Sequence, residues 1–409
     1  MLSVDNMFSA GNLSKILILV RLAPIVGVLV FSPQVADSSI ATTSDRPNTF
    51  GIEILNKLAG NGTDNAMVSP FSVELALGMV YVGSTGVTAR ELSKAIGFGP
   101  PDTSPLFPGM GLLSQGSSKI VLKVANSLWC DSSTRLRDSY VEDVKARFGA
   151  DVNSVDLPTD AAMRRINNWV TTATDQKITD LLKQPPQPPL ILIDAVYFKG
   201  AWEYPFSRQN NFTGIFHRED GSTCEVTMMK QNLSAPYLET DNFQAVQLGY
   251  IDSRLGMVLV LPFPGTSVGA VLQSFKVNSW NETLDRFASR NGTVTLPRFK
   301  VTYRSSLVKV LATLGLRALF EPSRDFAGIF NEPRKFYISD ILHETFLRVD
   351  EEGSEAAAAT GIQMRATAMR PIKPFQLTFD RPFLFAIVDN NSGQILFVGV
   401  LRDPDKAKL

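Results

Sequence analysis

Val349-Asp-Glu-Glu-Gly-Ser-Glu-Ala-Ala-Ala-Ala-Thr-Gly361 is the stretch on which the reading of this chain turns. Four consecutive alanines favour a helix locally. Read instead with the two-residue period of a strand, Ser354, Ala356, Ala358 and Thr360 share one face, and Glu355, Ala357, Ala359 and Gly361 share the other. The first face is small and uncharged throughout, so it fits under a packed sheet without overfilling it or burying an unpaired charge. A segment that is an exposed loop in one state and an inner strand in another has this composition.

The sequence on either side reads as a mixed fold. Upstream, Phe50, Ile54, Leu55 and Leu58 share a helical face, Ser69-Pro70 opens a second apolar helix, and Thr88-Ala-Arg-Glu91 has the spacing of a capping box. An amphipathic helix is expected from about Asp160 through Val170. Strands follow at Ile120 to Trp129, Leu190 to Phe198, Gly256 to Leu261, Thr293 to Val301 and Ile395 to Leu401, with helical patterns at Val268 to Phe275 and Ser305 to Leu314. Helices first and strands later, without regular alternation, predict α+β with antiparallel or mixed sheets.

Composition excludes several classes. With 44% hydrophobic residues the chain buries a large core, and forty basic against forty acidic residues give no global signal for nucleic acid or an anionic membrane. Two cysteines, Cys130 and Cys224, are too few for a disulfide framework or a four-ligand zinc site, which leaves one disulfide or two thiols. No metal or cofactor is expected. Only His217 and His343 are available for imidazole chemistry.

One hydrolase motif needs weighing. Gly265-Thr-Ser-Val-Gly269 is a GxSxG that centres a nucleophile on Ser267, with His343 downstream. Pro262 and Pro264 interrupt the strand that a nucleophile elbow requires, and no HGGG-like oxyanion segment precedes it. A loop leading into a helix is the plainer expectation.

The Glu351 to Thr360 segment resembles the hinge of the reactive-centre loop in inhibitory serpins. Five further segments match serpin motifs in the family's order: Ser69-Pro-Phe-Ser72, Asn168-Trp-Val-Thr-Thr-Ala-Thr-Asp-Gln-Lys-Ile178, Ala195-Val-Tyr-Phe-Lys-Gly-Ala-Trp202, Leu296-Pro-Arg-Phe-Lys300 and Asp380-Arg-Pro-Phe-Leu-Phe385. The resemblance implies one domain over residues 48–404, built of three β-sheets and eight to nine helices, with an exposed reactive-centre loop at about 351–374. It implies a suicide-substrate inhibitor of a serine endopeptidase rather than an enzyme. Cleavage of the loop leads to its insertion into the central sheet, trapping the acyl-enzyme as a covalent complex.

Site residues carry over in the same way. The hinge is Glu351, Glu352, Gly353, Ser354, Glu355, Ala356, Ala357, Ala358, Ala359 and Thr360. Counting on from Glu351 by the family's spacing gives Thr367-Ala368 as the reactive bond, fitting an elastase-like protease; Arg365-Ala366 is the alternative, fitting a trypsin-like one, and Met364 or Met369 would suit a chymotrypsin-like pocket. Ser69, Ser72, Asp194 and His343 correspond to the shutter beneath the opening sheet, and Trp202 to the breach where the loop enters. The family usually has Asn where Asp194 stands, so an Asp beside His343 is expected to make sheet opening sensitive to pH. The rival function is a non-inhibitory serpin acting as carrier, chaperone or storage protein; such relatives commonly have bulky, charged or proline residues where this hinge is small.

Residues 1–41 read as a signal peptide or N-terminal extension, with the apolar stretch Leu22 to Phe31 of the right length for the hydrophobic part of a signal and too short to span a bilayer. Six sequons, at Asn61, Asn211, Asn232, Asn281, Asn291 and Asn390, fit a secreted, extracellular glycoprotein. Asn61 and Asn291 are favoured because glycine beside them reads as a turn. No Lys or Arg lies between Lys94 and Lys119, the usual neighbourhood of the heparin site, which argues against heparin activation by that route. A monomer is expected.

Overall fold

The computed structural model describes residues 45–60, 62–99, 119–251, 253–277, 280–354 and 373–407. Eight α-helices lie among them: α1 (Asp45–Ala59), α2 (Pro70–Val82), α3 (Gly86–Ile96), α4 (Asp138–Phe148), α5 (Asp160–Ala173), α6 (Val268–Val277), α7 (Trp280–Asp285) and α8 (Val308–Thr313). The strands are β1 (Ala66–Val68), β2 (Ile120–Asp131), β3 (Asp151–Val155), β4 (Leu190–Ala201) and β5 (Phe212–His217). They continue as β6 (Thr223–Glu239), β7 (Phe243–Gly249), β8 (Leu255–Pro262), β9 (Ala288–Pro297) and β10 (Phe299–Ser306). The last five are β11 (Asp340–Val349), β12 (Gly353–Ser354), β13 (Phe375–Thr378), β14 (Phe383–Asp389) and β15 (Ile395–Leu401).

The strands form two mixed sheets, so the α+β expectation stands. A six-stranded sheet runs β10-β11-β4-β2-β3, with β12 adding to β4; a nine-stranded sheet runs β1-β15-β14-β8-β7-β6-β9-β13, with β5 on β6. The resemblance implied three sheets. Two of them are continuous here because the 17-residue β6 pairs with β5 and β9 along most of its length and with β7 at its end.

The central strand of the smaller sheet is covered on both faces. Leu190, Leu192, Val196 and Phe198 of β4 point into the main core, whereas Ile191, Ile193 and Ala195 pack with Ile166 and Val170 of α5. That double burial is why β4 reads as a continuous apolar run. Helix α2 lies under the sheet. Its start is fixed by the Ser69 hydroxyl, which accepts a hydrogen bond from the Ser72 N–H at 3.2 Å, and by Pro70 in the first turn.

Several local expectations are corrected. Helix α3 begins before Thr88, and Thr88 instead donates its N–H and hydroxyl to Asp325, while the Glu91 carboxylate accepts from the Ala318 N–H. Thr293 to Val301 is not one strand: β9 ends at Pro297 and β10 begins at Phe299. Ser305 and Ser306 close β10 rather than opening α8. Cys130 is buried and Cys224 half-buried, and both are free thiols. No described helix is long and apolar enough to cross a membrane.

Candidate functional site

The site begins where two strands part. β11 runs parallel to β4 from the Asp340–Ile191 pair to the Phe346–Tyr197 pair. Above that point β11 continues to Val349 and β4 to Ala201 without pairing, and β12 turns back to lie antiparallel on the top of β4, Gly353 opposite Ala201 and Ser354 opposite Gly200. The first two residues of a returning strand therefore sit at the mouth of the seam.

A tight turn makes this return. The Asp350 N–H donates to the Gly353 carbonyl at 2.9 Å, and the Asp350 carboxylate accepts from the Glu352 N–H at 3.0 Å. Gly353 has φ of +145°, and a Cβ there would lie 2.0 Å from the Gly200 carbonyl oxygen. Only glycine fits. Burial pushes the Asp350 carboxyl above its ordinary value, against the Glu352 N–H and Arg348 that favour its charge.

Trp202 and Tyr250 hold the turn from below. Their rings stack at 4.8 Å, the Trp202 indole N–H donates to the Asp350 carbonyl at 3.0 Å, and the Trp202 backbone N–H donates to the Glu352 carbonyl at 3.0 Å. The Tyr250 hydroxyl lies 2.7 Å from the Ser354 hydroxyl, and Ser354 is fully buried. Ser354 thus faces the core, the side on which the two-residue period put the small uncharged residues.

Glu351 is anchored as a buried ion. It is 2% exposed, and its Oε1 accepts from the Arg298 guanidinium and from the Asn211 amide, each at 2.5 Å. Burial opposes the charge, and the hydrogen bonds from Arg298 and Asn211 overcome it, holding the carboxyl below its ordinary value. Arg298 reaches this position because it occupies the break between β9 and β10. Glu352 meets Arg208 at 2.9 Å near the surface.

Lower in the seam lies a sealed polar cluster. Asp194 of β4 and His343 of β11 are register partners, both fully buried, with His343 Nδ1 2.8 Å from Asp194 Oδ2. His343 Nε2 accepts from the Ser69 N–H at 3.2 Å, so in this arrangement the ring proton sits on Nδ1 and points at the carboxylate. The Ser72 hydroxyl donates to Asp194 Oδ1, and Asn126 of β2 donates its amide to the Ser72 carbonyl at 3.1 Å. Ser69, Ser72, Asp194 and His343, grouped by resemblance, are thus in one network, to which Asn126 is an unanticipated addition.

Arg298, Asn211, Tyr250 and Gly200 were also missed as neighbours of the hinge. Only the motif segments around Arg298 and Gly200 gave any sign of them. Glu355 to Thr360, Arg365, Ala366, Thr367 and Ala368 lie outside the described residues, as do Asn61 and residues 1–44. Ser267 has no triad: its hydroxyl accepts from the Ala270 N–H at 3.1 Å at the start of α6, and His343 is committed to Asp194 and Ser69. The hydrolase reading fails on that geometry. Asn291 is not in a turn but within β9, opposite Ser234.

Comparison with known proteins agrees with this architecture. A sequence model of the family described as Serpin (serine protease inhibitor) matches residues 45–404. An uncharacterised serpin-like protein of Thermococcus kodakarensis is 35% identical over 87% of this chain and 84% of its own. Human leukocyte elastase inhibitor is 32% identical over 87% of this chain and 97% of its own. Among solved structures, the native state of the thermophilic serpin tengpin superposes with a TM-score of 0.79 at 26% identity, covering 88% of this chain and 94% of that one.

Proposed function

Since the chain belongs to the serpin family, whose members are generally protease inhibitors rather than enzymes, we propose that it traps a serine endopeptidase by inserting its cleaved loop between β4 and β11. The observation that carries this reading is the hinge itself. Gly353 and Ser354 already pair with Ala201 and Gly200, in the direction and on the face that an inserted strand needs.

Register gives the proposal detail. Continued downward, the antiparallel pairing brings Ala356 opposite Phe198, Ala358 opposite Val196 and Thr360 opposite Asp194. The partners Phe198 and Val196 lie in the main core, so alanine is about the largest side chain that avoids overpacking there. Thr360 arrives at the polar cluster of Asp194 and His343, where its hydroxyl has partners. Thr367 comes opposite Gln187, past the foot of β4 at Leu190, so full insertion carries the cleaved end to the far pole of the sheet.

The chemical step is the target's own. The protease serine oxygen attacks the Thr367 carbonyl, the C–N bond to Ala368 breaks, and the amine leaves with a proton from the protease histidine. An ester between Thr367 and the protease remains. Insertion before water attacks that ester distorts the protease and leaves the covalent complex.

The test is incubation with elastase, trypsin and chymotrypsin in turn, read on a denaturing gel together with the mass of the released C-terminal peptide. A band at the summed mass with a peptide starting at Ala368 supports inhibition at Thr367; a peptide starting at Ala366 moves the bond to Arg365. Cleavage in the loop with no covalent band and no gain in thermal stability rejects the insertion mechanism.

Secretion is part of the same proposal, supported by the Leu22 to Phe31 stretch and the six sequons. Expression in a secreting cell, with the N-terminus of the released protein read by mass, tests it. Retention of the full chain inside the cell refutes it.

A further inference from the structure

Asn211 has two claims on one nitrogen. Asn211-Phe-Thr213 is a sequon, so its Nδ2 is the atom a glycan would take. That same Nδ2 donates to Glu351 Oε1 at 2.5 Å, beside the Arg298 guanidinium on the same oxygen. The other end of the amide, Asn211 Oδ1, is buried and has no hydrogen-bond partner among the described residues. The orientation follows from charge, since the opposite one would set Oδ1 against a carboxylate.

Glycan transfer would form a bond from Nδ2 to C1 of a sugar. The sugar's bond to its lipid diphosphate carrier breaks, the diphosphate leaves with the electron pair, and one Nδ2 proton is lost to a base. The product is a planar secondary amide, and in its trans form C1 lies on the same side as Oδ1. Oδ1 is closed off in the native structure. A sugar on Nδ2 is therefore directed at the closed side of the amide.

We propose that Asn211 is a hinge-positioning residue, and that a glycan on this sequon and the docked hinge are mutually exclusive. The unpartnered Oδ1 is the cost of holding the amide for Glu351. Asn390 shows a related commitment, with Nδ2 donating to the Ser253 carbonyl at 2.8 Å and Oδ1 accepting from Gln247. Asn232 and Asn291 differ. Both are exposed, they lie on one outward face of the β6–β9 pair, and the Asn232 bond to Thr293 uses only Oδ1.

This rests on the secretion reading for the glycan and on the inhibitor reading for the hinge, and the experiment separates them. The full chain is expressed in secreting eukaryotic cells, native monomer is isolated, and occupancy at all six sequons is mapped by enzymatic deglycosylation in heavy-oxygen water and peptide mass. Asn211 is expected to be bare while Asn232 or Asn291 carries glycan. A glycan on Asn211 in native, protease-trapping monomer overturns the proposal. If no sequon is occupied, secretion is the reading that fails, and the hinge role is decided by variants.

Thr213→Ala destroys the sequon but keeps the amide, and is expected to match wild type in heat-induced polymerisation and in inhibition stoichiometry. Asn211→Ala is expected to speed polymerisation several-fold and to raise the stoichiometry. In a Glu351→Ala background, which has no acceptor for the amide, the same Asn211→Ala change is expected to have little further effect, a non-additivity that a general loss of stability would not produce. Full additivity, or an Asn211→Ala protein that behaves as wild type, overturns the hinge role.

Discussion

Asp194 and His343 are register partners across the pair of strands that the proposed loop insertion would separate, and their side chains are joined at 2.8 Å in a fully buried site. Opening the seam breaks that contact and leaves the Ser72 hydroxyl and the Ser69 N–H to find new partners. Asp194→Asn removes the charge and keeps the shape. We expect it to change the rate of loop insertion or heat-induced polymerisation, because an amide replaces the carboxylate that faces the His343 ring N–H and accepts from the Ser72 hydroxyl. Equal rates in the two proteins would sink this account.

Gly353→Ala tests the docked turn. The added Cβ meets the Gly200 carbonyl oxygen and Ala201 Cα, and φ of +145° is itself unfavourable for alanine. The expected result is a hinge that cannot pair with β4, a native state weakened by roughly 1–3 kcal/mol of backbone strain or lost docking, and more cleavage without trapping. An unchanged stoichiometry of inhibition would show that pre-docking is not required.

Tyr250→Phe removes one hydroxyl from a buried pair and leaves Ser354 without it. The expected cost is about 1–3 kcal/mol for an unsatisfied buried hydroxyl, visible as a lower thermal midpoint of the native form. Trp202 stacks on the same ring, so its fluorescence should shift when the hinge moves. A Tyr250→Phe protein with wild-type midpoint and emission would remove Tyr250 from the hinge.

Thr360→Arg tests the continued register. Opposite Asp194, which is fully buried, an arginine brings a long charged side chain to the core face of the sheet, so insertion is expected to stall and cleavage to proceed as substrate turnover. Thr360→Ser, which keeps the hydroxyl, is expected to inhibit normally. Equal inhibition by both variants would mean that the strand does not reach the polar cluster in this register.

Glu74 supplies a pH dependence away from the seam. It is buried on α2, burial pushes its carboxyl up to about 8, and the Gln394 amide at 2.9 Å only partly opposes that. A carboxyl that is neutral when folded but ionises near its ordinary value when unfolded favours the folded state fully below about pH 4.5. That contribution is lost as pH rises toward about 8. Glu74→Gln should flatten this part of the stability profile. An unaltered slope in chemical unfolding across the window would refute it.

Legibility followed locality. Leu190 to Phe198 announced itself as a strand because both faces of β4 are buried, and Ser69-Pro70 marked a helix start through the hydroxyl that caps it. Thr88 misled because a capping-box spacing records only sequence, whereas Asp325, distant in the chain, claims its N–H. β5, β6 and β7 were not picked out at all: β6 alternates unevenly between buried and exposed residues, which blurs its period. The hinge could be placed by resemblance, but Arg298 and Asn211 converge on Glu351 only through folding, and no local spacing records that convergence.

Both cysteines of the chain are thiols, one sealed in the core and one beside Arg218, Asp403 and Asp405. Every restraint described on the hinge and seam is therefore non-covalent. Parting the seam or undocking the hinge breaks hydrogen bonds, ion pairs and ring contacts, and no covalent bond has to be cut first.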